Sequence, residues 1–100
     1  PYLAYMRQDR RFAAGEALTS ATFARLVSSH FDWLVTVDPH LHRRKSLAEI
    51  YSIPAAVVHA APLLADWVRD NVPDPLLVGP DAESEQWVRA VAAAVPCPHL

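Results

Sequence analysis

Short apolar runs alternating with segments of helical spacing constrain this chain more than any other feature. Three runs, DWLVTVD (32–38), IPAAVVH (53–59) and PLLVGPD (75–81), are bounded by turn residues and predict buried strands, and PYLAY at the start predicts a fourth. Between them, Phe23, Leu26, Val27 and Phe31 share one helical face. Leu63, Leu64, Trp67 and Val68 share a second, and Trp87, Val88, Val91 and Val95 a third. The predicted order is β-α-β-(short α)-β-α-β-α. Such alternation implies an α/β fold, with a parallel sheet covered by helices on both faces.

Local signals set the expected boundaries. Thr19 or Ser20 can cap the first helix, Pro62 suits a first helical turn, and Ser46 with Glu49 has the S-x-x-E spacing of a capping box. Asp38-Pro39 and Gly79-Pro80 end their strands. His59 and the tryptophans Trp33, Trp67 and Trp87 fall at positions expected to pack in the core, and His30 closes a helix where a cation suits the dipole.

With 100 residues, 52% of them hydrophobic and 20% charged, the chain is globular in composition and fits one small domain or a piece of a larger one. A formal charge of -2 argues against binding nucleic acid through bulk electrostatics, because phosphate neutralisation needs clustered Lys and Arg. The longest apolar stretch is broken by His59 and Pro62 and is too short to cross a bilayer, so no membrane association is expected. A single cysteine, Cys97, and the lack of an apolar leader point to a reducing cytoplasm. The chain opens inside an apolar segment without an initiator Met, and reads as an internal segment of a longer protein.

In open α/β sheets ligands collect beyond the carboxyl ends of the strands, and three polar segments stand there. In MRQDRRF, Arg7, Arg10 and Arg11 offer forked donors that match phosphate geometry and Gln8 can read a base edge; the alternative is a solvated loop with an Arg-Asp pair through Asp9. In VDPHLHRRK, Asp38 and His40 can share a metal or a phosphate, while His40-x-His42 also has the spacing of some zinc sites, and the alternative is a turn. In VGPDAESEQW, Asp81 follows its strand as Asp38 does, and paired strand-end acids hold Mg²⁺ with substrate phosphates; taken alone, Asp81 reads rather as a turn and helix-cap aspartate.

Read together, PYLAYMRQDRRF, TSATFARLV, VTVDPH, SIP-x-x-x-V, AAPLLADWV and LLVGPD resemble the ribose-phosphate pyrophosphokinase (phosphoribosyl pyrophosphate synthetase) family, in order and along nearly all of the chain. The resemblance implies two phosphoribosyltransferase-like α/β domains in tandem. Residues 1–59 would end the first and residues 60–100 would begin the second. It implies that Arg7, Gln8 and Asp9 bind ATP, that His40 contacts Mg²⁺ and the ATP phosphates, and that Asp38 and Asp81 belong to Mg²⁺ sites. The implied reaction is Mg²⁺-dependent transfer of the β,γ-pyrophosphoryl group of ATP to ribose 5-phosphate, in a homo-oligomeric enzyme of nucleotide biosynthesis. The sequence departs from the family where Ala82, Glu83 and Ser84 replace a small residue and a Gly-Gly pair after the aspartate, and where Pro39 and the HRRK run flank the histidine. Those departures raise the alternative of an inactive regulatory homologue that binds nucleotide and assembles with active subunits. Arg43, Arg44 and Lys45 are expected to form a solvated rim.

Overall fold

The computed structural model describes residues 2–95 and 97–100, and divides into two compact units, one ending at Val58 and one starting at His59. In the first unit, α1 (Thr19–Ser28) precedes a two-stranded parallel sheet of β1 (Leu34–Val37) and β2 (Ala55–Val58), with Leu34 opposite Ala55 and Val37 opposite Val58. The connection between the strands carries a short 3-10 turn, Leu47–Glu49. In the second unit, α2 (Ala61–Asn71) packs with α3 (Glu85–Ala92), which is preceded by a 3-10 turn at Ala82–Ser84. The expected α/β class, a parallel sheet with helices, is found.

Two predicted strands differ. PYLAY is a turn: Tyr5 has φ 62°, its carbonyl accepts from Gln8 N at 2.8 Å, and Leu3 and Met6, three apart, both enter the core. Spacing of three belongs to a turn, whereas a strand would alternate. PLLVGPD forms a single parallel bridge, Leu77 to His99, with Leu77 N donating to Pro98 O at 3.1 Å and Gly79 N to Leu100 O at 3.0 Å. Pro75, in register with the donors Leu77 and Gly79, lacks the N–H that would carry the ladder further back.

The first unit's core joins Leu3, Met6, Ala24, Leu34, Leu47 and Tyr51, with Val27, Ile53 and Val57 packed against it. In β1, Leu34 and Thr36 face inward while Val35 and Val37 face out. The second core is built from Ala61, Ala65, Val91 and Val95.

Helical faces are placed differently from expectation. In α1 the buried residues are Ser20 and Ala24, while Leu26 is exposed; in α2 they are Ala61 and Ala65, while Leu63, Leu64 and Trp67 are exposed. In α2 the small side chains let the helices approach closely, so the contact with α3 forms on the alanine side. Trp33 and Trp67 are 69% and 58% exposed, so the core role expected of them is not found, and His59 lies exposed just past β2. Leu18, with no capping side chain, precedes α1. The Ser46 box is displaced by one residue, since Glu49 Oε1 accepts from Lys45 N at 2.7 Å.

Among the described residues no helix is long and apolar enough to cross a membrane.

Candidate functional site at the carboxyl end of β1

The chain leaves β1 through Asp38, whose φ of 39° lies in the left-handed region that Asp tolerates better than most residues. This bend ends the strand before Pro39, so the extended path that would have aimed Asp38 and His40 alike is not taken. The two nevertheless meet, because Asp38 and His40 line one hollow of about 190 Å³ with Arg7, Thr36 and Met6. That volume is below the roughly 300–1,000 Å³ of a full small-molecule site and suits a phosphate-sized group. Thr36, 3% exposed, is a wall residue that the sequence reading passed over. Its signal was a hydroxyl on the inward side of an apolar strand.

A larger hollow of about 560 Å³ lies nearby, walled by Phe23, Phe31, Trp33 and Leu34. Among the described residues Tyr2 is the one titratable group that lines it, whereas Arg7, Asp38 and His40 line the smaller one.

Asp9 stands behind His40. Its carboxylate is 2% exposed and receives Arg43 Nη1 at 3.0 Å on Oδ1 and 3.3 Å on Oδ2. His40 Nε2 lies 3.7 Å from Oδ2, an ionic contact when the imidazole is protonated. Asp9 therefore pairs with a cation 34 residues away. Of the neighbouring arginines that offered the local alternative, Arg10 instead lies over the Phe12 ring, 4.7 Å from its centroid.

The Gln8 side chain is exposed outside the hollow, while its backbone carbonyl accepts from Ser20 N at 3.3 Å. Ser20 Oγ in turn accepts from Arg44 Nη2 at 2.9 Å. Arg43 and Arg44 are thus anchors rather than the solvated rim expected of them, because each meets a buried acceptor, Asp9 or Ser20. Two adjacent cations fasten the loop after His40 to the RQD segment and to the start of α1.

Asp81 belongs to the second unit. Its Oδ1 accepts from Ser84 N at 2.9 Å, and Ser84 Oγ lies 3.3 Å from Asp81 N, a reciprocal cap at the start of the 3-10 turn. The capping alternative for Asp81 is thus realised.

Carboxylate oxygen at Asp38 suits a hard cation such as Mg²⁺, which usually takes one or two protein ligands and completes its shell with water and substrate phosphates. Among the described residues no three His, Cys, Asp or Glu side chains gather as a metal cage. The rings of His40 and His42 are 6.0 Å apart, without a third ligand to make the four-coordinate set of zinc.

No protein-family model matches the chain. Curated proteins do. A ribose-phosphate pyrophosphokinase of Methanopyrus kandleri is 39% identical over 95 residues, covering 93% of this chain and 32% of its own length. One of Saccharolobus solfataricus is 32% identical over 100 residues, covering 99% of this chain and 33% of its own, and one of Halobacterium salinarum is 37% identical over 81 residues, covering 81% and 28%. Among solved structures, phosphoribosylpyrophosphate synthetase from Mycobacterium smegmatis has a TM-score of 0.80 at 22% identity, over 99% of this chain and 34% of that one. The likeness to that structure is one of fold, and agrees with the α/β class expected from the sequence. This chain spans about a third of the length of the relatives it matches. Over that span it is similar in sequence to ribose-phosphate pyrophosphokinases.

Proposed function

We propose that these residues form part of the nucleotide site of a ribose-phosphate diphosphokinase. The observation that carries this reading is the meeting of Arg7, Asp38 and His40 round a phosphate-sized hollow at the carboxyl end of β1. In the reaction, the anomeric hydroxyl of ribose 5-phosphate attacks the β-phosphorus of ATP. A bond forms from the sugar oxygen to that phosphorus, the bond from the phosphorus to the α,β-bridging oxygen breaks, the hydroxyl proton is released, and AMP leaves with the bonding pair. Such transfers need charge neutralisation and alignment more than covalent help.

Each residue has a part in that scheme. Arg7 presents a guanidinium fork to phosphate oxygens. His40 donates a ring N–H to the phosphates, and Gln8 stays on the exposed side to meet the base. Asp38, with His40, would hold Mg²⁺, and Asp81 would hold a second ion. An ion held there would supply positive charge against the charge that develops on the phosphate oxygens. The two compact units are read as parts of two tandem phosphoribosyltransferase-like domains, in a cytoplasmic homo-oligomer acting on ATP and ribose 5-phosphate.

A second reading, a regulatory homologue that binds nucleotide and assembles with active subunits, draws on the Asp81 cap. One carboxylate oxygen is already engaged by Ser84 N, and the Glu83 and Ser84 side chains stand where the resembled family has bare backbone.

Incubating the full-length protein with ATP, ribose 5-phosphate and Mg²⁺ tests both. The diphosphokinase reading expects AMP, and expects it to form far more slowly, though still measurably, in His40→Ala. A folded wild type that binds ATP and releases no AMP supports the regulator instead.

A further inference from the structure

The resemblance implies that Asp9 binds nucleotide, yet its surroundings suit another task. Its carboxylate is 2% exposed, so little of it remains for a ligand to touch. A carboxylate facing a triphosphate would repel it, whereas one set behind an imidazole orients the ring, as outer-shell carboxylates do for histidines at metal and phosphate sites. His40 Nε2 lies 3.7 Å from Asp9 Oδ2, and the same carboxylate is gripped by Arg43 Nη1 at 3.0 Å on Oδ1 and 3.3 Å on Oδ2. Asp38 and Pro39 constrain the backbone ahead of His40, which leaves the ring's own torsions as the main freedom to be fixed.

We propose that Arg43 is a positioning residue, acting through Asp9 to hold the His40 imidazole at the phosphate hollow, and that Asp9 bridges these two side chains without contacting the nucleotide. The inference rests on the diphosphokinase reading for its catalytic consequence, though the geometry does not depend on it. Arg43 lies three residues beyond His40 on the same loop. Its hold on Asp9 therefore closes the loop onto the RQD segment, and Arg7 and His40 are presented to one phosphate group as a fixed pair.

The test uses the full-length protein carrying Arg43→Met, Arg43→Lys or Asp9→Asn, each alone and combined with His40→Ala. Arg43→Met is expected to lower kcat for AMP formation by roughly 10–100-fold, the scale of a misplaced catalytic group, with the KM for ATP little changed. Arg43→Lys is expected to recover part of that loss, and on the His40→Ala background Arg43→Met should cost nothing further. A loss that persists in full on that background, or one that appears in KM alone, overturns the proposal, because Arg43 would then act on structure at large or on ATP directly.

A second measurement stands apart from activity. In protein labelled with ¹³C-histidine, the His40 ring signal, identified by its disappearance in His40→Ala, should shift at fixed pH in both Asp9→Asn and Arg43→Met. Ring signals unmoved by either substitution overturn the proposal. Should Arg43→Met fail to fold, Asp9→Asn, nearly isosteric, carries the measurement. A wild type that forms no AMP but whose His40 signal responds as expected contradicts the diphosphokinase reading and leaves the positioning role supported.

Discussion

Arg44 Nη2 donates to Ser20 Oγ at 2.9 Å, and Ser20 is completely buried in the first turn of α1. This bond ties the loop after His40 to the helix whose Ser20 N also holds the Gln8 carbonyl. Ser20→Ala would strand a partly buried guanidinium donor and should lower stability by about 1–3 kcal/mol, the usual cost of an unsatisfied buried group. Urea unfolding checks this, and a change within error would show that water replaces the hydroxyl without loss.

Tyr51 is 3% exposed and its hydroxyl has no hydrogen-bond partner. Tyr51→Phe should therefore hold stability or raise it, by up to about 1–3 kcal/mol. Burial also pushes the phenol pKa above its ordinary value of 10.0. Because the folded state keeps the proton more tightly, the associated stability is fully present below about pH 10 and is lost as pH rises through the higher folded value. Unfolding curves across that range should show wild-type stability falling, and Tyr51→Phe escaping that part of the fall.

Gly79 has a packing reason to be glycine. An added Cβ would lie 2.5 Å from Ser84 Oγ and 3.1 Å from Val88 Cγ2. Since Ser84 is held in its reciprocal cap with Asp81, Gly79→Ala should cost about 1–3 kcal/mol as an overpacked site. Ser84→Ala alone should cost about 0.5–2 kcal/mol as a lost cap. It also removes the clashing oxygen, so the double variant should lose less than the sum of the two, a coupling that a thermal-unfolding cycle measures directly.

Asp81→Asn separates capping from metal binding. Asn accepts from a helix-start amide about as well as Asp, so the melting temperature should hardly move. If Asp81 also holds Mg²⁺, the same substitution should raise the Mg²⁺ concentration needed for AMP formation at least about tenfold, which corresponds to about 1.4 kcal/mol of binding. An unchanged Mg²⁺ dependence would confine Asp81 to its cap.

Much of this architecture was legible from periodicity. The segments behind α1, α2, α3, β1 and β2 each carry the right spacing, and Asp38 and His40 stand at the carboxyl end of β1 as the α/β rule anticipates. What periodicity misses is the partner. Leu63, Leu64 and Trp67 do share a helical side, yet α2 meets its neighbour through Ala61 and Ala65, because helix contacts favour the side where backbones come closest. PLLVGPD has the composition of a strand, and among the described residues it makes one bridge. The pairing of Asp9 with Arg43 spans 34 residues and leaves no local trace. In the sequence, the run HRRK looks like any solvated basic rim, and only tertiary structure shows two of its members facing buried acceptors.

The most direct measurement is ³¹P NMR of the full-length protein with ATP, ribose 5-phosphate and Mg²⁺. The account predicts that the β and γ phosphorus atoms move together, giving AMP and a new coupled pair of diphosphate resonances on the sugar, and that His40→Ala suppresses both. Formation of ADP with a singly phosphorylated sugar, or AMP accompanied only by free inorganic pyrophosphate, would contradict it.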